Sequence, residues 1–313
     1  MRYALDRTIF YLLRQFDWVW PQYRVRGCRT YDHRSLVEGK IPFGLSRPLQ
    51  EHYNEVRGTI RDRISRRQKY SIIRLGDGEA LFLQGWRGGN IGRRHLTDDV
   101  AIDLSAWRRS YQENDLLTFD SRWGQRRLWN SIEGERIRAD YTPLTAIYAL
   151  VANRDIFQLV KGRRVGIIGP GPKLAIIERL LRYPQYREYL GLAGFDSYVE
   201  IPQRGAVNDA EKVLRDIVAR EREYPCDVYL VGLGIAKLRI LSGIRDALDA
   251  VVIDIGSGLD AIAGIIPKDR PYFGSWVNYK LVGYDYDHVD VLAYHIDTAM
   301  LDRFTLADDV ILD

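Results

Sequence analysis

The sequence predicts an α/β fold in which a mostly parallel sheet carries helices on both faces. Three observations predict it. After residue 161 an apolar run, a glycine turn and a helical pattern follow one another three times. These apolar runs are continuous rather than alternating, as strands buried on both faces are. The 313 residues are 46% hydrophobic and 28% charged, which is ordinary for a globular chain able to bury one large core or two modest ones.

In chain order, residues 1–23 combine Leu5, Ile9, Phe10, Leu13, Phe16, Trp18 and Trp20 with Arg2, Arg7 and Arg14. They read as a basic amphipathic helix, which could pack on the body of the protein or on a second subunit, or lie on an anionic membrane. Residues 24–50, with Pro42 and Pro48, are a turn-rich lead-in. A helix with a charged face is expected over 51–68, a helix over 98–111, a strand over 115–119 ending at Asp120, and a helix over 141–160 with Pro143 near its start. Trp86–Arg94 reads as a glycine-rich basic loop. The three repeating units are Arg163–Ile168 with GPGPK and LAIIERLLR, Asp227–Val231 with Gly232-Leu233-Gly234, and Ala250–Asp254 with Ile255-Gly256-Ser257-Gly258. Between the first two lie a strand at Ser197–Ile201, a loop with Arg204, and a helix over 210–220 that Asn208 or Asp209 could cap. This divides the chain into an N-terminal helix and lead-in (1–50), a Rossmann-type main domain (51–265) and an aromatic-rich extension packed on the same domain (266–313).

The stretch SIIRLGDGEALFLQG, Ser71 to Gly85, carries the most chemistry. Asp77 and Glu79 are two apart in a glycine-rich turn after an apolar strand, so in an extended segment both carboxylates point to one side. Gly76 and Gly78 leave room for an approaching group. Such a pair suits Mn²⁺ or Mg²⁺ held jointly with the phosphates of a nucleotide, although Asp-Gly is equally a turn signal. Ligands of parallel sheets sit at the carboxyl ends of the strands, where glycine lets backbone amides approach phosphates. On that rule Gly169, Gly171, Lys173, Gly232, Gly234, Asp254, Gly256 and Ser257 would open on one crevice with Arg74 and the Asp77/Glu79 turn, with Arg204 a further phosphate or uracil contact. Each glycine is explained equally well by a tight strand-to-helix connection.

A formal charge of +4, from 46 Lys plus Arg against 42 Asp plus Glu, argues against nucleic acid and leaves room for an anionic small substrate. Cys28 and Cys226 form neither a metal-ligand spacing nor a disulfide scaffold. With no apolar span of about 18 residues and no secretory leader pattern, the expected location is cytoplasmic, open to the inner face of the membrane through residues 1–23. A homo-oligomer is also open.

The segment RLGDGE resembles the Asp-x-Glu motif of glycosyltransferases with the GT-D fold, a family first known as a bacterial domain of unknown function. A second match lies in the C-terminal half, where Val231-Gly232-Leu233-Gly234 and Val252-Ile253-Asp254-Ile255-Gly256-Ser257 resemble that family's Leu-Gly loop and its Ile-Asp-Ile-Gly-His strand. The similarity spans residues 68 to 265. It implies a Rossmann-like glycosyltransferase, of the kind that builds polysaccharides, moving a sugar from a nucleotide sugar such as a UDP-sugar to a glycan, lipid-linked or protein acceptor. Asp77 and Glu79 would lie at the metal and diphosphate, and Asp120 or Glu79 would take the acceptor's proton. The family's histidine is Ser257 here, so no imidazole role carries over. Two alternatives stand beside it. VVIDIGSGLD also looks like the first glycine motif of S-adenosylmethionine-dependent methyltransferases, though there the motif opens the sheet; the other is a non-catalytic nucleotide-binding protein.

Overall fold

Strand β1 (Tyr70–Leu75) is buried from Ser71 onward, and its neighbours Ile72 and Ile73 point into different cores. The same alternation runs through β6 (Val228–Val231) and β7 (Val251–Asp254), so a continuous apolar run serves both faces of one sheet. The computed structural model describes residues 47–88, 91, 95–96, 102–119, 142–265, 273, 276, 279–281, 283–286, 289 and 311–312. The expected helix over 1–23, Asp120, most of the loop after Trp86 and much of the 266–313 extension lie outside them.

The remaining strands are β2 (Leu116–Phe119), the two-residue edge strand β3 (Thr142–Pro143), β4 (Val165–Pro170) and β5 (Ser197–Ile201). The sheet order is β3-β2-β1-β7-β6-β4-β5, with every pairing parallel. This is the expected Rossmann-like α/β arrangement. A separate pair joins β8 (Lys280–Leu281) to β9 (Ile311–Leu312).

Helices α1 (Arg47–Ser65), α4 (Leu144–Ala152), α5 (Asp155–Leu159), α6 (Gly171–Leu180), α7 (Pro184–Leu190) and α10 (Ser257–Ile262) share one core. Helices α2 (Asp77–Leu83), α3 (Leu104–Gln112), α8 (Ala210–Glu221) and α9 (Lys237–Leu248) share the other. The steps β1 to β2, β5 to β6 and β6 to β7 run toward the β3 edge, and their helices lie on this second face. The steps β3 to β4 and β4 to β5 run the opposite way, and their helices lie on the first. A constant crossover hand requires that division.

Several sequence expectations shift. The 141–160 helix is two helices, because Thr142 and Pro143 pair with β2 and Arg154 turns left-handed (φ 63°) between α4 and α5. The 98–111 helix begins only at Leu104, where the Asp103 side chain accepts hydrogen bonds from the Ser105 and Ala106 amides. Asp209, rather than Asn208, caps α8 by accepting from the Lys212 amide. In the aromatic tail Phe273 and Trp276 are fully buried in the first core, and Trp276 packs on Phe157. Among the described residues, no helix is long and apolar enough to cross a membrane.

Candidate functional site

The site follows from the strand order. β1 and β7 are neighbours at the centre of the sheet, yet after β1 the chain leaves into the second core as α2, and after β7 into the first as α10. Connections departing to opposite faces leave a crevice at the carboxyl ends of the two strands. Four charged side chains meet there.

Asp254, the last residue of β7, is fully buried. Its Oδ1 accepts from Arg74 Nη2 at 3.1 Å and from the Gly256 amide at 3.0 Å. Its Oδ2 accepts from the Arg74 amide at 3.1 Å and from Lys237 Nζ at 2.8 Å. Arg74 Nε donates to the Asp254 carbonyl at 2.8 Å, and its guanidinium lies 4.4 Å from the centre of the Tyr148 ring. Lys237 Nζ also reaches Glu79 Oε1 at 2.7 Å. Two cations and two carboxylates therefore balance, which is what makes such burial tolerable. Glu79 alone faces outward, with its side chain 19% exposed against 2% for Lys237.

The electrostatics follow from that pairing. Burial pushes the Asp254 carboxyl up, but Arg74 and Lys237 outweigh burial and hold it below the ordinary range. For Glu79, burial is likewise overcome by Lys237, with a smaller contribution from Arg74. Arg74 stays charged, since Asp254 more than offsets its own desolvation.

Gly256 is a requirement of this geometry. Its φ of +45° and ψ of −117° suit glycine, and a Cβ there would lie 1.5 Å from Arg74 Nη2. The guanidinium thus rests on the bare Cα of the loop.

Asp77 and Glu79 do not share one side of an extended strand, contrary to the prediction from strand alternation. Helix α2 begins at Asp77, with Gly76 as its extended N-cap, so positions 77 and 79 are about 200° apart around a helix axis rather than on one side of a strand. The Asp77 side chain lies outside the described part of the structure. A Cβ at Gly76 would come within 2.8 Å of Glu79 Oε2, whereas one at Gly78 would meet nothing within 4 Å. There is open space beside the first turn of α2.

The other glycine turns divide. Gly171 and Lys173 are already helical, in the first turn of α6, so GPGPK is not an open loop. Lys173 Nζ is bonded to Asp260 Oδ1 at 2.6 Å, both buried, and a Cβ on Gly171 would strike Glu200. Gly169 and Gly232 lie beneath Leu259 of α10, where a Cβ would come within 2.7 and 3.0 Å of it. These two glycines seat a leucine over the ends of β4 and β6. Gly234, at φ +56°, lies against His95. Arg204 is exposed on the loop after the edge strand β5, with β4 and β6 between it and β7. Ser257, 9% exposed, opens α10 beside Gly256.

So Arg74, Glu79, Asp254 and Gly256 come together with Ser257 beside them, while Lys173 and Arg204 do not join them. Lys237 and Tyr148 are additions that sequence reasoning missed. For Lys237 a signal existed: it closes the run Gly232-Leu233-Gly234-Ile235-Ala236-Lys237 after β6, much as Lys173 closes GPGPK after β4. Tyr148 looks like any apolar position of a helix, and only packing reveals its contact with Arg74. No protein-family model, curated protein or solved structure matches this chain.

Proposed function

We propose that this chain is a glycosyltransferase that moves a sugar from a nucleotide-sugar donor, a UDP-sugar, to a glycan, lipid-linked or protein acceptor. The observation that carries the reading is the bond between Arg74 and Asp254. It joins the RLGDGE and IDIG segments, 180 residues apart in sequence, at the carboxyl ends of two neighbouring central strands. Both segments bearing the family resemblance thus meet at the edge where parallel sheets take their ligands.

Among the described residues, Glu79 is the carboxylate placed to meet a hard divalent cation. Glu79 offers an ionised carboxylate at the mouth of the crevice, and the space beside Gly78 is open. Asp77 and Glu79 would hold Mn²⁺ or Mg²⁺, which would neutralise charge on the departing nucleotide diphosphate. Lys237, itself held by Asp254, pairs with Glu79 in the absence of a ligand. Because Lys237 keeps that carboxylate ionised, Glu79 suits a ligand better than a proton acceptor, and Asp120, which follows β2 in sequence, is the candidate base for the acceptor hydroxyl. The methyltransferase alternative gains no support, since IDIGSG begins in β7, the last strand of the seven-stranded sheet in chain order, whereas the methyltransferase motif opens the sheet.

The test is a thermal-shift screen of the purified chain against UDP, GDP, dTDP, CMP and S-adenosylmethionine, each with and without Mn²⁺. The expected result is a Mn²⁺-dependent rise in melting temperature with a nucleoside diphosphate that disappears in Asp77→Asn. A rise with S-adenosylmethionine alone, or a full nucleotide response in Asp77→Asn, refutes the assignment.

A further inference from the structure

Lys237 does more than neutralise a buried neighbour, because its one ammonium is divided between two carboxylates of different standing. Asp254 is fully buried and saturated by four donors, whereas Glu79 is partly exposed at the mouth of the crevice. If the Glu79 carboxylate turns toward a ligand, Lys237 keeps its 2.8 Å bond to Asp254 and need not leave its 2% exposed position. What then remains behind Glu79 is Arg74, Lys237 and Asp254, a trio with one net positive charge. The same movement that frees a carboxylate for a cation therefore exposes a positive field to an anion.

We propose that Lys237 is a positioning residue that makes cation uptake at Glu79 depend on the nucleotide. This rests on the donor site described above. In the free protein its ammonium occupies the Glu79 carboxylate, so a bare divalent cation competes with a bonded lysine and binds weakly. A nucleoside diphosphate adds negative charge beside the Arg74–Lys237–Asp254 trio and offsets the loss of the Lys237–Glu79 pair. Cation and diphosphate are then taken up together, each raising the affinity for the other by the same factor. One practical consequence is order: a cation alone does not load the site.

The experiment is calorimetric titration of MnCl₂ into the full chain, with and without UDP, for the wild type and for Glu79→Gln, Lys237→Met, Lys237→Gln, Lys237→Arg and the Glu79→Gln/Lys237→Met double variant. Without UDP, the wild type and Glu79→Gln should bind Mn²⁺ equally weakly. Lys237→Met should bind at least about tenfold tighter, because one positive charge beside Glu79 is gone, and the double variant should lose the gain. Lys237→Arg should behave as the wild type. Lys237→Gln, whose amide can still donate to a carboxylate without carrying charge, should show the gain even where Lys237→Met fails to fold. Strong Mn²⁺ binding by the wild type that Glu79→Gln abolishes would overturn the proposal, as would equal affinities for the wild type and the two neutral variants. The titrations without UDP do not depend on donor identity. Absence of any nucleoside diphosphate binding would count against the glycosyltransferase reading, while a Glu79-dependent gain in the neutral variants would still establish the lysine's hold on Glu79.

Discussion

Replacing Gly256 with alanine tests the charge cluster at its tightest point. The new Cβ would fall 1.5 Å from Arg74 Nη2 and 2.5 Å from its Cζ, so the guanidinium must withdraw. Withdrawal forfeits the Nε bond to the Asp254 carbonyl and the Nη2 bond to Oδ1. Hydrogen bonds involving a charged group contribute about 1.5–3 kcal/mol each. Alanine at φ +45° adds backbone strain of about 1–3 kcal/mol. A loss of about 4 kcal/mol or more is therefore expected, a large share of the roughly 5–15 kcal/mol that holds a typical domain folded. Urea denaturation followed by circular dichroism measures it directly, from the midpoint at unchanged slope. A double-mutant cycle with Arg74→Ala separates clash from strain: with the guanidinium absent, Gly256→Ala should cost at least about 1 kcal/mol less than it does in the wild type. A destabilisation under about 1 kcal/mol, or strict additivity with Arg74→Ala, would refute the claim that the guanidinium rests on the Gly256 backbone.

Two further outcomes follow from the same structure. Gly58, inside α1, has nothing within 4 Å of an added Cβ, so Gly58→Ala should stabilise the fold by about 0.5–1 kcal/mol in the same denaturation assay, and a loss would show a hidden constraint. Asp254 and Glu79 are both held below their ordinary range in the folded state. Their contribution to stability is therefore fully present above the unfolded values near about 4 and is lost as pH falls through the lower folded values. Asp254→Asn, which leaves Arg74 and Lys237 without their shared anion, should lower stability at neutral pH by about 3–5 kcal/mol and flatten the acid limb of a melting-temperature profile. An unchanged acid limb would mean that other carboxylates carry it.

Much of the sheet was legible because strands buried on both faces must be apolar throughout. The runs at Ile167, Leu230 and Ile253 could hardly be anything else once glycine turns and helical patterns followed them. The boundaries were less legible where a local signal had two meanings. Gly171-Pro172-Lys173 reads as a loop by composition, yet proline and lysine fit the first turn of a helix equally well, and α6 takes them. Asp77-Gly78-Glu79 has the same ambiguity: a turn signal in sequence becomes the start of α2 because Ala80, Leu81, Phe82 and Leu83 bury themselves in the second core.

By itself the sequence determined the fold class, the parallel pairing and the presence of Arg74, Glu79 and Asp254 near strand ends, since these depend on local pattern and on the rule that strand–helix units wind with one hand. Only the tertiary structure decided which of those residues touch. Lys237 becomes the link between Glu79 and Asp254 because β6 and β1 flank β7, although the lysine follows Glu79 by more than half the length of the described chain. Gly169 and Gly232 turn out to seat Leu259, because α10 crosses back over the ends of β4 and β6. Sequence spacing carries no information about such contacts. They arise when strands distant along the chain become neighbours, and charges that become buried must then find partners within about 3 Å or lose their charge.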